Sequence, residues 1–337
     1  MTVETGSFSP LEVAERLADD LLFPTALATD QADRVPRRIL DALAEAGLYG
    51  LYGPAEAGGL GCDQATGLQV VEILAGACLS TTFVWIQHHS TVRAVAACDI
   101  PGIRERWLEP LCRGKWRAGI AVAGIRPGTS AVSAVPVDGG WIVNGDVPWV
   151  TGWGLIDVLR TAARGPEGEV VWALIDAVES ATLTVDRLSL VAVQSSVTVT
   201  VRFRHHFVPD ERVMEREEYD DWLAHDVRGM RRNGSLALGV IGRCCRLLGP
   251  GPLDAELADC RDALDRAADP EALARARAAA SALAVRAAAA LVVATGSRAV
   301  LLDQHPQRLA REAMFLLVFA SRPAIRKELL PRFGGLG

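Results

Sequence analysis

Residues 141–154, WIVNGDVPWVTGWG, hold three tryptophans (Trp141, Trp149 and Trp153), and no other stretch restricts the fold of this chain as strongly. Asp138-Gly139-Gly140 precedes them as a turn signal between two short apolar runs, which is the pattern of a β-hairpin. A buried tryptophan needs a partner for its indole N–H, so tryptophans this dense describe a shaped wall with few polar groups. Taken alone, the stretch reads as a hairpin core in which Thr151 is a strand residue. The middle of the chain must therefore be a β unit.

Both flanks are helical by period. Ser9-Pro10-Leu11-Glu12 starts a helix to about Leu22, with Ser at the N-cap, Pro at N1 and Glu at N3. A second helix begins near Pro36; Ile39, Leu40, Leu43 and Ala46 recur at helical spacing and Gly47 is placed to end it. The spacing of Leu68, Val70, Val71, Ile73 and Leu74 predicts helix throughout 65–97. Strands are expected at 118–123, 155–163 and 170–175, and most clearly at 197–204. There Val197, Val199, Val201 and Phe203 alternate with Thr198, Thr200, Arg202 and Arg204. Helices return at 236–248, 255–267, 271–295 and 307–319, with a break at Gly249-Pro250-Gly251-Pro252. The order divides the chain into a helical unit 1–115, a β unit 116–214 and a helical bundle 215–337.

Composition removes several function classes. Half of the 337 residues are hydrophobic, 23% are charged and the net charge is −6, so the chain lacks the basic footprint of a nucleic-acid binder. Its seven cysteines have no C-x-x-C spacing and read as reduced thiols of a cytoplasmic protein without a signal peptide. The apolar stretch 278–297 is interrupted by Arg286 and falls short of the ~20 uninterrupted apolar residues of a membrane span. Segment 271–295 is nevertheless too apolar for a solvated helix, which predicts association through the bundle. His88 and His89 are adjacent and so diverge on a helix, and no H-E-x-x-H exists, so no metal site is expected. The glycine-rich stretch 48–61 lacks the Lys-Ser/Thr of a phosphate loop and reads as a tight loop between helices. No G-x-S-x-G appears, which argues against a serine hydrolase.

Several of these stretches resemble the acyl-CoA dehydrogenase family. Residues 141–154 resemble its "dGgyvlnG.K.wiTng" segment, with Asp146-Val147-Pro148 where the family's Lys stands; residues 48–61 resemble "Gl.gi..P.eyGG.G", and 201–210 resemble "v.fddv.vP". The resemblance implies a multi-domain α+β fold: an N-terminal helical domain, a middle β-barrel and a C-terminal helical bundle. It also implies FAD as cofactor and an acyl thioester as substrate. Trp149, Val150 and Thr151 would lie against the flavin ring, with the Thr151 hydroxyl donating to flavin N5. Gly128 and Ser130 match the surviving part of "TEp.aGSD", and Arg308 matches "P..R..RD". The helix end carrying His88 and His89 would approach the flavin and acyl pocket.

The departures matter as much. Ala320 stands where the family's catalytic Glu would be, and Arg232 occupies the alternative base position; neither takes a proton at neutral pH. Glu312 is the remaining nearby carboxylate, although Arg308 and Arg311 at helical spacing predict an ion pair for it. The "R..FG" run is missing at 249–252, which implies weaker or partner-dependent FAD binding. Three readings follow: α,β-desaturation of an acyl thioester with a displaced base, placed first; a flavin monooxygenase assisted by His88 or His89; and a non-catalytic subunit of a heteromer. A homo-oligomer, or a heteromer with a related subunit, is expected.

Overall fold

The computed structural model describes residues 9–100, 102–128 and 132–335, apart from the side chain of Arg228. Helices come first: α1 (Pro10–Leu17), which runs through a π-helical turn (Ala18–Leu22) into α2 (Phe23–Gln31), then α3 (Arg37–Glu45), α4 (Gln64–Ala77), α5 (Leu79–Ile86), α6 (His88–Ala96) and α7 (Ile103–Cys112). Strands follow: β1 (Ala118–Ala121), β2 (Ser133–Val137), β3 (Gly140–Val150), β4 (Val158–Arg164), β5 (Val170–Asp176), β6 (Leu183–Arg187), β7 (Val199–Pro209) and β8 (Val213–Glu217). The last unit holds α8 (Tyr219–Arg228), α9 (Met230–Leu248), α10 (Pro252–Arg266), α11 (Pro270–Thr295), α12 (His305–Val318) and α13 (Pro323–Leu329). This is the expected fold class, and β8 straddles the expected 214/215 boundary.

The strands form one mainly antiparallel sheet in the order β6-β7-β3-β2-β4-β5-β8, with β1 added parallel to β4. The hairpin predicted at Asp138-Gly139-Gly140 joins β2 to β3, and Gly139 supplies the turn's positive φ of 72°. In β7 the side chains alternate as read: Val199, Val201 and Phe203 are buried, and Arg202 and Arg204 are exposed.

The segment 65–97 is not one helix. Cys78 is extended (φ −149°, ψ 104°) and separates α4 from α5. The hydroxyls of Thr81 and Thr82 both bond to Cys78 at the break. Thr82 Oγ1 donates to the Cys78 carbonyl at 3.0 Å and Thr81 Oγ1 to Cys78 Sγ at 3.3 Å, so side chains add to the backbone bonds that Cys78 keeps with Leu74 and Thr82.

Glycine seats α9 against α4. A Cβ on Gly239 would lie 2.3 Å from the Glu72 carbonyl, and one on Gly76 2.6 Å from the Gly239 carbonyl, so the two backbones touch. That contact fixes Arg232, two turns earlier on α9, relative to the end of the N-terminal helices. The segment Pro270–Val300 is, against the expectation from Arg286, long and apolar enough to cross a membrane by length and composition. In this fold it packs against α9, α10, α12 and α13, buries Arg277 and pairs Arg286 with Glu256 of α10.

Candidate functional site

The end of β3 is irregular. The β3–β7 register shifts between Val147 and Val150, and within that bulge Trp149 adopts φ +61°. A bulge turns a side chain away from its expected face. Trp149 is 59% exposed whereas Trp141, on the regular part of the strand, is buried. The expected wall of buried tryptophans is therefore opened at one position. Val150 resumes the ladder opposite Val199 and is buried.

Behind Thr151 lies a second strained segment. Val193 and Val197 take φ of 50° and 48°, a conformation that costs β-branched residues about 1–3 kcal/mol each. They bracket Gln194–Ser196, whose backbone accepts the Gly152 N–H at Ser196 O (2.9 Å), and Val197 O accepts the Trp153 N–H (3.1 Å). Three buried hydroxyls run in series: Thr151 to Thr198 at 3.2 Å and Thr198 to Ser196 at 2.9 Å. Three hydroxyls carry three protons and two are used within the series, so one donor remains. A flat ring that stacks on an exposed indole and offers an acceptor at its edge fits this end of β3.

Helix α5 abuts the same loop: a Cβ on Gly152 would lie 3.4 Å from Val84 Cγ1. The predicted pair of histidines follows, and the two differ sharply. His88 Nε2 donates to Leu111 O (3.1 Å), and its Nδ1 accepts the Ala118 N–H (3.0 Å). Both nitrogens are spent tying α7 to β1, and burial pushes the imidazole down to about 3. This is a structural histidine, against the expectation that either could serve the substrate. His89 is equally buried, yet neither ring nitrogen has a hydrogen-bond partner. Burial first, and then His88, Arg232 and Arg93, hold it well below the usual histidine range, so it is neutral. Its ring meets Trp85 at 4.3 Å and Tyr52 at 5.4 Å between centroids, both edge-on. Arg93 lies over the other part of this wall, its guanidinium 3.7 Å from the Tyr52 ring centroid.

Tyr52 stands within the glycine-rich loop, whose glycine N–H groups are used internally. Leu60 N donates to Gly50 O, Gly61 N to Gly53 O and Cys62 N to Leu51 O, all within 2.8–2.9 Å. The loop is scaffolding, as its lack of Lys-Ser/Thr indicates, and Gly67 of α4 leaves the space that the Tyr52 hydroxyl fills.

Glu312 and Arg308 are elsewhere. Both are fully buried, and Arg308 Nη1 donates to Glu312 Oε1 at 2.6 Å within α12. Burial raises the Glu312 carboxyl while Arg308 opposes it, and the thiols of Cys78 and Cys244 face the same charge. Arg308 also approaches His305 Nδ1 (3.4 Å), and has no exposed surface from which to reach a cofactor phosphate. The resemblance assigned Arg308 to the cofactor; the structure assigns it to Glu312. Gly128 is described, with φ +82° and open space where a Cβ would point; Ser130 lies outside the described residues. Ala320 follows α12 at φ +49°, one residue after Phe319, whose ring packs edge-on against Phe83. Among the described residues no cluster of His, Cys, Asp and Glu fits a metal.

Comparison with known proteins agrees with this fold. Residues 11–115 match the model of the acyl-CoA dehydrogenase N-terminal domain. Benzylmalonyl-CoA dehydrogenase of Aromatoleum aromaticum (strain DSM 19018 / LMG 30748 / EbN1) is 28% identical over 234 residues, 67% of this chain and 62% of that protein. Butyryl-CoA dehydrogenase from Megasphaera elsdenii has the same fold, with a TM-score of 0.80 over 96% of each chain at 18% identity. Residues 11–115 thus resemble the acyl-CoA dehydrogenase N-terminal domain, and the chain has the acyl-CoA dehydrogenase fold. A further family structure, a glutaryl-CoA dehydrogenase from Mycobacterium smegmatis, is described in complex with FADH2 and matches with a TM-score of 0.79 at 15% identity, over 96% of this chain and 94% of that one. The chain spans less than two thirds of the length of the curated family members it matches.

Sequence reasoning missed Thr198, Ser196, Tyr52 and Arg93. Thr198 was readable only as the polar face of a strand, and its role comes from the left-handed Val197 before it. Tyr52 and Arg93 are forty-one residues apart and meet only because the loop folds back on α6.

Proposed function

We propose that this chain binds FAD and oxidises an acyl thioester. The observation that carries the reading is Trp149, an exposed indole held at positive φ beside buried hydroxyls with one proton to spare. The family fold supports it. FAD, when bound, supplies the hydride-accepting chemistry.

The chain's own residues supply orientation, exclusion of water and proton transfer. Trp149 covers one face of the ring. Thr151, backed by Thr198 and Ser196, donates the unspent hydrogen bond. Val84 and Val150 are buried and keep that side dry. Of the expected acid–base residues, His88 and Glu312 are committed to protein partners, so His89 is assigned as acceptor of the thioester α-proton. It is neutral and has a free lone pair.

Thr151→Val is expected to weaken FAD binding by roughly 0.5–1.5 kcal/mol, as for one neutral hydrogen bond, read by equilibrium titration of apoprotein with FAD. Unchanged affinity and flavin potential would remove Thr151 from the site.

Anaerobic mixing of FAD-loaded protein with a panel of acyl-CoAs tests the activity. Bleaching of the flavin is expected, retained in Glu312→Gln and slowed about 10²–10⁴-fold in His89→Phe. The same unpartnered imidazole, with no carboxylate at positions 320 and 232, also favours a second reading, a flavin monooxygenase. Absence of bleaching with every thioester, together with hydroxylation of a substrate by reduced flavin and oxygen, would establish that reading instead.

Assembly belongs to the same proposal. Val293, Val300, Leu302 and Val318 are each at least 67% exposed at the ends of α11 and α12 and in the turn between them. Apolar side chains this bare mark an interface. Light scattering at micromolar concentration is expected to give a dimer or larger assembly; a monomer, with no related subunit to pair with, would contradict it.

A further inference from the structure

The wall around His89 holds more positive charge than the protein itself neutralises. Along α9, Arg231 pairs with Asp265 and Arg243 and Arg246 with Asp19, so the arginines of this helix are in general matched by carboxylates. Arg232 is the exception among the described residues of α9: it has no ion pair, and its Nε is buried without a hydrogen-bond partner. Its charge acts on Tyr52, Arg93 and His89. Arg93 likewise has no carboxylate partner among the described residues and rests on the Tyr52 ring. The carboxylate of Asp63, the acid that acts on Tyr52, is engaged by the Thr66 N–H at 2.7 Å as the N-cap of α4. Two unmatched guanidinium groups therefore share one wall with an imidazole that is fully buried and unpartnered on both nitrogens.

Burying a polar group without a partner costs about 1–3 kcal/mol, so the His89 nitrogens and Arg232 Nε call for an occupant, while Arg93 is exposed. The occupant must be anionic, because two of the groups are cations and the neutral imidazole has an N–H to donate to it. A carboxylate accepts both a planar guanidinium and an imidazole N–H. It leaves the second nitrogen of a neutral imidazole free.

Resting on the reading of the site as one for acyl thioesters, we propose that the acyl group carries a free carboxylate at its far end, held by Arg232 and Arg93 with His89 donating to it. The position of Arg232 then ceases to be a defect. A cation where a base is absent serves recognition of the substrate.

Calorimetric titration of the FAD-loaded protein with matched pairs of CoA thioesters tests this: succinyl-CoA against butyryl-CoA, and glutaryl-CoA against pentanoyl-CoA. The dicarboxylic member of at least one pair should bind about tenfold tighter or more, as one charge-assisted contact allows. Arg232→Gln should collapse that preference to within about threefold while keeping the affinity for the monocarboxylic member, and Arg232→Lys, which keeps the charge, should retain part of it. Arg93→Gln should reduce it by a smaller factor, because Arg93 is the more exposed of the two. Equal or tighter binding of both monocarboxylic thioesters, or a preference that survives in both Gln variants, would overturn the proposal and leave the thioester reading standing. Binding of none of the four would overturn both.

Discussion

Arg308→Met is expected to destabilise the protein by about 3–5 kcal/mol, the cost of leaving one member of a buried ion pair uncompensated. Arg308 and Glu312 have essentially no exposed side-chain surface, and Glu312 Oε2 already lacks a partner, so water cannot replace the lost bond. The variant should take up a proton on Glu312 instead, since burial already pushes that carboxyl upward and Arg308 is the main group holding it down. The double variant Arg308→Met/Glu312→Leu should regain most of the loss, because well-packed apolar residues replace buried pairs at little net cost. Urea unfolding of the two variants and the parent measures all three values. A single variant within about 1 kcal/mol of the parent would mean that water reaches the pair. It would also reopen Glu312 as a proton acceptor, which its commitment to Arg308 otherwise closes.

The architecture was legible because each unit announces itself by a period. Helical spacing, two-residue alternation from Val199 to Arg204 and the Asp138-Gly139-Gly140 turn each match an element, while Val197 and Thr198 lie before the strand. What periodicity misses is a corner built by side chains. Cys78 breaks a helical pattern without proline or glycine, at a corner where the Thr81 and Thr82 hydroxyls both bond to it. Strand β6, helix α7 and helix α8 have patterns too short or too polar to stand out.

Less of the site was legible. Thr151 and Trp149 were found through a motif, but nothing in their identities says that one is buried and the other 59% exposed; that follows from a bulge at Pro148-Trp149. His88 and His89 are indistinguishable in sequence. Their difference is set by Leu111 and Ala118, which reach one ring and not the other. Arg308 matched a motif whose role depends on exposure, and only packing shows that it has none. Each of these failures has one cause: local sequence specifies which groups are present, and tertiary contacts decide which of their bonds remain unspent.

Those same histidines make the protein acid-sensitive, and the sign can be worked out. His88 is held down to about 3 by burial, and His89 well below the usual range. In the unfolded chain each has an ordinary value near 6.5. Below that pH the unfolded state binds protons that the folded state refuses, so stability falls as pH falls and is fully present only above about 6.5. For His88 the loss continues until pH reaches its folded value near 3. At pH 5 His88 contributes a loss of about 2 kcal/mol, and His89 adds to it in the same direction. His305, half-buried and lowered to about 4 by burial and then by Arg308 and Arg243, adds a smaller part because solvent reaches it. Urea midpoints taken at half-unit steps should give a slope approaching two protons between pH 6 and 5. His89→Phe, which keeps an aromatic ring against Trp85 and Tyr52, should remove one of them. A parent whose stability is flat from pH 7.5 to 5 would show that these imidazoles are open to water, and the buried wall that supports His89 as a functional group would fall with them.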